Sequence, residues 1–435
     1  MLSFEEIQAT SERLFKKAGF TSPLRVNALI LFVANLSRAL CKWGQLVLLT
    51  HHFSPELVGV FLLGFTISTP IAMTLTFRLR SVAMTESDER FAVGHYISFQ
   101  ATMSLLSFIA IAGVAFASDV KEGGIPIVLL VALAKVFETA SDTLYGPIQK
   151  REKMRYIGAS IVLRSLIALV GMALLVVVTG SIFLATLFFA AVEAATFFFY
   201  DLRVLSKFAS ILPRWEKAKL LELLKYSTPL AVTFALLSVA QSVQNYVLFL
   251  YEGEGSLGLF GPLAYFSALV GLVIGALANA GFPKQVEYFD TNIPYFLALL
   301  KKMLLVAGAM SLCIIAFNFL VGEWFLGLVY GEIYAEKFPI FTLIIYNMAI
   351  GTVTSLLGYT LTATRGFWVF PAINSFALIV NIVASAILIK LYSLRGAAFS
   401  LIVVNILHLI LYSAVLLVRV RRRRAELAEA KEFAN

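Results

Sequence analysis

Apolar stretches about as long as a membrane is thick recur along the whole chain, and short polar segments separate them. A helix needs about 20 apolar residues to cross the hydrocarbon core of a bilayer. Twelve stretches have this length, and they predict transmembrane helices at 26–50, 57–77, 95–118, 126–148, 157–178, 181–202, 227–251, 259–282, 296–320, 338–362, 370–392 and 397–418. The pattern therefore predicts an all-α, polytopic membrane protein with 12 transmembrane helices.

The composition supports this fold class and excludes several others. Of the 435 residues, 60% are hydrophobic and 14% are charged, whereas about a quarter of a soluble domain is charged. A soluble enzyme and a disordered chain are excluded. The net charge of +9 does not indicate nucleic-acid binding, because the basic residues alternate with apolar stretches. Cys41 and Cys313 both lie inside apolar stretches, which predicts packing rather than a disulfide. No motif predicts a metal site, a cofactor or a catalytic residue.

The distribution of Lys and Arg predicts the orientation of the chain. Counted with the adjoining helix ends, alternate connections and the two termini hold 27 of the 35 basic residues. The other connections hold Lys121, Lys337 and Arg395. Basic connections stay in the cytoplasm, so both termini are predicted to be cytoplasmic. The tail that starts at Arg419, with four consecutive arginines, would contact anionic membrane lipids.

The chain divides into two halves with six predicted helices each. A weak internal repeat supports this division, because Val58-Gly59-Val60-Phe61 resembles Leu257-Gly258-Leu259-Phe260 at the corresponding place in the second half. Parallel repeats of this kind are common in transporters that bind substrate between two lobes. The predicted segments are an amphipathic cytoplasmic N-terminus (1–25), an N-terminal six-helix lobe (26–202), a cytoplasmic elbow (203–226), a C-terminal six-helix lobe (227–418) and a basic cytoplasmic tail (419–435).

Charged residues inside the predicted helices are concentrated in the N-terminal half. Such charges are costly in a membrane and are usually functional. Spacings of three and four place several of them on one face of their helix. They are Arg38, Lys42, Lys135, Glu138, Asp142, Arg164 and Glu193.

One interpretation of these charges is mutual pairing, of Lys135 with Glu138 and of Arg164 with Asp142. It leaves Arg38 and Lys42 with Glu193 alone, so at least one buried cation would lack a partner. An unpaired buried cation is costly unless water or an anion meets it. The excess therefore predicts a water-filled cavity that admits an anionic group, and arginine with lysine suits a phosphate or diphosphate.

Neutral polar side chains also occur within the predicted helices. Amide groups suit the hydroxyl groups of sugars, but they also commonly join helices to one another in lipid. The candidates for sugar contact are Asn35, Gln45, Gln241, Asn245, Asn347, Asn374 and Asn405.

The segment Lys135-Val136-Phe137-Glu138-Thr139-Ala140-Ser141-Asp142-Thr143-Leu144-Tyr145-Gly146, followed by Gln149, Met154, Ser160 and Arg164, carries a family resemblance. It resembles the fourth-to-fifth-helix signature of Wzx-type bacterial polysaccharide flippases. These belong to the multidrug/oligosaccharidyl-lipid/polysaccharide (MOP) superfamily, which includes the multidrug and toxic-compound extruders (MATE). The segment from Arg78 to Thr85 is also similar, although Glu86 and Asp88 follow it where relatives usually have an Asp directly after the Thr.

The resemblance implies two six-helix lobes around a V-shaped cavity in the bacterial cytoplasmic (inner) membrane. It implies transfer of an undecaprenyl-diphosphate-linked oligosaccharide from the cytoplasmic to the outer leaflet, for a polysaccharide polymerase and its chain-length machinery. The diphosphate would be held by Arg38, Lys42, Lys135 and Arg164. Charge would be balanced, or a coupling H⁺ or Na⁺ carried, by Glu138, Asp142 and Glu193.

Three other functions remain open. A cation-coupled drug exporter of the same fold would need unpaired carboxylates to bind cationic cargo, whereas this cavity is predicted to be cationic. A membrane-embedded polysaccharide polymerase usually needs a large outer loop and a catalytic cluster, and neither is visible. A major-facilitator carrier has a similar number of helices, but the connection 78–94 lacks the Gly-rich basic signature of that group.

Overall fold

In a computed structural model of the chain, the described residues are 23–86, 90–365 and 369–434. Every regular element in these ranges is helical, which confirms the predicted all-α fold class. The elements are, in chain order, α1 (Pro23–His52), α2 (Pro55–Leu75), α3 (Leu79–Thr85), α4 (Val93–Ala117), α5 (Gly124–Lys150), α6 (Met154–Thr179), α7 (Ile182–Thr196), a π-helical turn (Phe197–Asp201), α8 (Leu202–Ser206), α9 (Lys217–Thr291), α10 (Ile293–Tyr330), α11 (Glu332–Ala335), α12 (Phe338–Ala363) and α13 (Val369–Ala434).

Two of the long helices each contain two of the predicted membrane spans. In the described ranges, 10 helical stretches are long and apolar enough to cross a membrane. Helix α9 is broken at Gly253 (φ 75°, ψ −172°), and α13 is broken at Ser393 (φ 54°, ψ −130°). Residues 241–245 and 261–268, from either side of the first break, line one cavity, so α9 folds back on itself. Counting both halves of α9 and α13 yields the twelve predicted spans.

The connections differ from the prediction in three places. The predicted loop 252–257 is reduced to the single break at Gly253, whose positive φ suits glycine. Helix α10 continues to Tyr330, so most of the predicted connection 321–337 is helical. Within the predicted elbow 203–226, residues 207–216 are non-helical and residues 217–226 form the first turns of α9. The predicted amphipathic N-terminus lies outside the described residues, apart from the first residues of α1.

The surface of the helix bundle is apolar, as a lipid-facing surface must be. Large side chains such as Leu320 (81% exposed) and Val178 (71% exposed) point outward with no protein contact to cover them. Monomeric soluble proteins rarely expose contiguous apolar surface on this scale. The exposed apolar surface therefore supports a position inside a bilayer.

The two halves meet backbone to backbone at one end of the bundle, which we call the closed end (residues 52–60 and 254–259). A Cβ atom built on Gly59 would overlap the carbonyl oxygen of Glu254, and one built on Gly258 would overlap that of Pro55. The backbone N–H of Lys121 donates to Oε1 of Glu254 at 2.9 Å. The two glycines of the internal repeat thus lie where the halves approach most closely.

At the other end, which we call the basic end, α2 and α5 finish and α9 begins. The start of α9 packs here against the N-terminal half, with Leu223 buried beside Leu79 and Val82. Further along α9, the guanidinium of Arg78 lies 3.7 Å from the centre of the Phe234 ring. Between the closed end and these contacts, the bundle encloses two neighbouring cavities.

Candidate functional site

The first cavity, which we call the cation cavity, has a volume of about 440 Å³. Its walls come from α1, α5 and α6, from the end of α2, from α3 with the turn before it, and from Phe234 of α9. Five cationic side chains and two carboxylates line it. They are Arg38, Arg78, Arg80, Lys135 and Arg164, with Glu138 and Asp142. Five of these seven charges lie in the long apolar helices α1, α5 and α6, where a charged side chain is costly and usually functional.

A single carboxylate holds three cations between α1 and α5. Nζ of Lys42 lies 3.3 and 3.2 Å from the two carboxylate oxygens of Glu138. Nζ of Lys135 lies 3.1 Å from Oε2, and Nη1 of Arg38 lies 3.5 Å from Oε1. The predicted pair of Lys135 with Glu138 is confirmed. Arg38 and Lys42 do not depend on Glu193 as the sequence suggested, because both contact Glu138 instead.

This three-cation cluster (Arg38, Lys42, Lys135) carries two positive charges more than its carboxylate balances. Lys42 also lies 5.5 Å from the centre of the Phe65 ring, and Nη2 of Arg38 donates to Oδ1 of Asn35 at 2.8 Å. The Arg38 side chain is 35% exposed to the cavity. Its guanidinium can therefore reach a ligand without leaving its helix.

Arg164 lies in a separate buried network, and its predicted pairing with Asp142 is wrong. Its guanidinium donates to Glu193 at 2.8 Å and to Asp201 at 2.6 Å. It donates also to the hydroxyl groups of Tyr145 (2.8 Å) and Ser160 (3.0 Å). Arg164 is 3% exposed. Because two carboxylates already surround this arginine, it is less available to a ligand than the three-cation cluster.

Sequence reasoning missed Asp201 because it stands at the polar end of a predicted span. The π-helical turn Phe197–Asp201 explains its position. A π turn inserts one residue into an α-helix and so changes the direction in which the following side chains point. Asp201 is 1% exposed and accepts hydrogen bonds from both Ser160 and Arg164.

Asp142 pairs instead with Arg80, which the sequence placed in a connecting loop. Nη1 of Arg80 lies 2.6 Å from Oδ1 of Asp142, and its Nε and Nη2 donate to Oε1 of Gln149 at 3.0 and 2.7 Å. Arg78 precedes it at φ 52° and makes no ion pair among the described residues. The Arg78-Leu79-Arg80 segment that contributed to the family resemblance therefore lines the cavity.

The charges around the cation cavity do not cancel. Six cations meet four carboxylates, which leaves an excess of two positive charges. The cations are Arg38, Lys42, Arg78, Arg80, Lys135 and Arg164, and the carboxylates are Glu138, Asp142, Glu193 and Asp201. A cleft of one sign with low-dielectric walls attracts ions of the opposite sign. The arrangement is suited to an anion with two charges.

The second cavity, which we call the amide cavity, lies between the two halves and has a volume of about 410 Å³. Lys135 lines both cavities, so the two are adjacent. The walls combine the aromatic rings of Phe61, Phe65 and Tyr265 with amide side chains. Pockets that bind small molecules are typically built in this way, with apolar walls and a few polar groups. The amides on its surface are Gln45, Gln241, Asn245 and Asn347.

The remaining sugar-contact candidates have other contacts. Asn35 supports Arg38 in the three-cation cluster. Nδ2 of Asn405 donates to Oδ1 of Asn347 at 2.7 Å and so joins α13 to α12. Asn374 accepts from the Tyr412 hydroxyl at 3.2 Å and donates to the Phe370 carbonyl, and it lines neither cavity. For Asn374 and Asn405, the contacts are those of side chains that join helices.

Known proteins resemble this chain in sequence and in fold. No family model matches the sequence. The chain is 28% identical over 385 residues to the capsular polysaccharide biosynthesis protein CapF of Staphylococcus aureus, covering 88% of this chain and 96% of CapF. Both sequences are therefore aligned over nearly their whole length.

Two solved structures share the fold. The lipid II flippase MurJ in an inward-closed conformation superimposes with a TM-score of 0.70 at 15% identity, over 91% of this chain and 90% of MurJ. An inward-facing MATE transporter of the MOP superfamily superimposes with a TM-score of 0.67 at 12% identity, over 92% of this chain and 96% of that protein. These comparisons confirm the predicted MATE/MOP-like fold and the resemblance to polysaccharide flippases of that superfamily.

Proposed function

We propose that this chain, which has the fold of the MOP superfamily, is a flippase for undecaprenyl-diphosphate-linked oligosaccharide repeat units. It would carry them from the cytoplasmic to the outer leaflet of the bacterial inner membrane. The observation that carries the proposal is the cation cavity, whose excess of two positive charges lies directly beside the amide cavity, where Lys42 and Lys135 also form part of the wall. A diphosphate esterified at both ends carries two negative charges, and a repeat unit follows it with hydroxyl and amide groups.

The three-cation cluster would hold the diphosphate. Glu138 keeps Arg38, Lys42 and Lys135 within 3.1 to 3.5 Å of its oxygens, so the three cations are gathered at one point. Phosphate oxygens would add to the hydrogen bonds of these side chains, and the planar guanidinium of Arg38 can bind two oxygens at once. Arg164 supports this site from its own network rather than from contact with the cargo.

The amide cavity would receive the first sugars. Gln45, Gln241 and Asn245 each present an amide that can both donate to and accept from a sugar hydroxyl. Because Lys135 lies at the boundary of both cavities, a diphosphate at the cluster would place its attached sugar next to these amides. The lipid tail would remain in the bilayer, against the apolar outer surface.

Transport would occur by alternating access of the two halves to the two leaflets. The basic end corresponds to the cytoplasm in the orientation predicted from Lys and Arg, and the closed end to the outside. The names of two similar proteins, a capsular polysaccharide biosynthesis protein and a lipid II flippase, support a lipid-linked cargo. Glu138, Asp142 and Glu193 would balance charge or carry a coupling H⁺ or Na⁺ during the return step, and the delivered unit would pass to a polymerase.

The test is made in a bacterium whose own gene for this transporter is deleted. Deletion of the gene should cause lipid-linked oligosaccharide to accumulate in the cytoplasmic leaflet. Expression of the wild-type chain should abolish this accumulation. Arg38→Ala should leave the accumulation unchanged although the protein is inserted at its normal level. Lys390→Ala is the matched control, because Lys390 is an exposed cation of the other half and lines neither cavity.

Two results would contradict the proposal. Normal surface polysaccharide in the deletion strain, together with a gain of sensitivity to cationic drugs, would identify a drug exporter of the same fold. Normal transport by Arg38→Ala would show that the cation cavity does not hold the cargo's diphosphate.

A further inference from the structure

A third cavity, of about 500 Å³, lies at the basic end, far along the chain from the transport site. Helix α13 does not stop where its apolar residues end, but continues as one helix into the arginine run. Its last apolar turns and first basic turns form one side of this cavity, and the end of α9 forms the other. The lining is Phe289, Val369, Ala414, Val415 and Val418 on the apolar side, with Arg419, Arg422, Arg423 and Glu426 at the rim.

Two of the three rim arginines are held by the ends of neighbouring helices. Nη1 of Arg419 donates to the carbonyl oxygen of Thr364 at 2.7 Å, just after α12. Nη2 of Arg423 donates to the carbonyl oxygen of Asp290 at 2.9 Å, and its Nη1 to Glu426 at 2.8 Å. The last carbonyl groups of a helix lack partners within the helix and attract cations. These contacts join the basic C-terminal part of α13 to the ends of α9 and α12.

Arg422 is the rim arginine with no such contact. It is exposed, it lines the cavity, and it makes no hydrogen bond or ion pair with another described residue. Its position follows from helical spacing, because residues 415, 419, 422 and 426 recur on one face. Arg421 and Arg424 belong to the same run but do not line the cavity.

The cavity is complementary in charge and polarity to the headgroup end of an anionic phospholipid. Three arginines meet one glutamate at the rim. The Asp290 carboxylate, 4.0 Å from Arg423, is already paired with Arg365, so two positive charges remain unbalanced. Directly below them, Val415, Val418 and Phe289 present apolar surface on the membrane side. A free phosphate ion would match the rim alone, whereas an anionic phospholipid would match both the rim and the apolar wall.

We propose that this cavity binds an anionic phospholipid of the leaflet at the basic end. Arg422 contacts the headgroup phosphate, and the first carbons of an acyl chain pack on Val415 and Val418. Because Arg419 and Arg423 already join the tail to α9 and α12, the bound lipid holds the ends of three helices of the C-terminal half together. The proposal does not depend on what the transporter carries.

The experiment compares the full-length protein in nanodiscs of phosphatidylcholine with and without phosphatidylglycerol. The measurement is retention of phosphatidylglycerol by native mass spectrometry, together with the temperature of unfolding. Arg422→Gln should lower retention by about tenfold, the loss expected when one charge-assisted hydrogen bond to the phosphate is removed. Arg424→Gln is the matched control, since it removes the same charge from the same run and should leave retention unchanged.

Two results would overturn the proposal. Equal losses in Arg422→Gln and Arg424→Gln would mean that the run attracts anionic lipid by its general charge and that the cavity binds none. Displacement of phosphatidylglycerol by millimolar inorganic phosphate, with the same stabilisation in pure phosphatidylcholine, would identify a phosphate site instead. Neither result would affect the transport proposal, because neither measurement involves transport.

Discussion

The substitution Gly258→Ala should shift the protein away from the conformation that is shut at the closed end. A Cβ atom on Gly258 would overlap the carbonyl oxygen of Pro55 and lie 2.9 Å from the backbone nitrogen of Gly59. Both neighbours are backbone atoms, so no side chain can rotate to make room. The two halves must therefore move apart at this point, which opens the closed end.

The size of the effect follows from packing. Forcing an extra methyl group into a filled contact costs about 1–3 kcal/mol. A cost of about 2 kcal/mol changes the ratio of the two conformations by about thirtyfold. Alanine is also a better helix former than glycine by about 1 kcal/mol. That gain is present in both conformations, so it raises overall stability and cancels from the ratio between them.

The assay is labelling of a single cysteine in the amide cavity from the side of the closed end. Cys41 and Cys313 are first replaced by alanine, and Ser242→Cys supplies a nearly isosteric reporter on the cavity wall. An impermeant thiol reagent should label this cysteine faster in Gly258→Ala by tenfold or more, and transport should fall. The control is Gly271→Ala on the same helix, where a Cβ would meet nothing within 4 Å.

The reasoning is refuted if Gly258→Ala and Gly271→Ala label at the same rate and transport equally well. The glycine contact would then not limit how the halves approach. If Gly258→Ala is also expressed at a lower level, labelling is compared per folded molecule. This separates a loss of protein from an opening of the closed end.

Three further predictions address the network, the cluster and the orientation. Arg164→Gln alone leaves two buried carboxylates unbalanced and should lower the free energy of unfolding by about 3–5 kcal/mol. Adding Asp201→Asn should recover much of the expression level, whereas adding Asp142→Asn should not. Equal recovery by both double variants would contradict the observed pairing. Arg38→Lys should keep part of the transport rate, since a charge remains without the two-pronged geometry, and a measured rate equal to wild type would argue against bidentate phosphate contact. Ser54→Cys, at the start of α2, should react with an impermeant thiol reagent added outside intact cells, and protection there with labelling from the cytoplasm would reverse the proposed orientation.

The sequence alone was sufficient for the fold class, because the length and polarity of a membrane helix are local properties. It was also sufficient for the pair of Lys135 with Glu138, since a spacing of three residues places both on one helical face. The sign of the excess charge was predicted too, from four cations and three carboxylates inside the helices. The excess of two in the structure also includes Arg78, Arg80 and Asp201, which the sequence did not place in the site. The boundaries of the two lobes and the elbow remain predictions.

Contacts between helices were decided by the tertiary structure. One interpretation of the sequence paired Arg164 with Asp142, but its partners Glu193 and Asp201 depend on how α7 is rotated and on the π turn that redirects Asp201. The repeat of Gly59 and Gly258 was visible as a pattern, yet only the packed structure places the two together at the closed end. The physical reason is common to both cases: spacing along the chain determines which face of a helix a residue occupies, whereas the rotation and approach of whole helices determine what that face contacts.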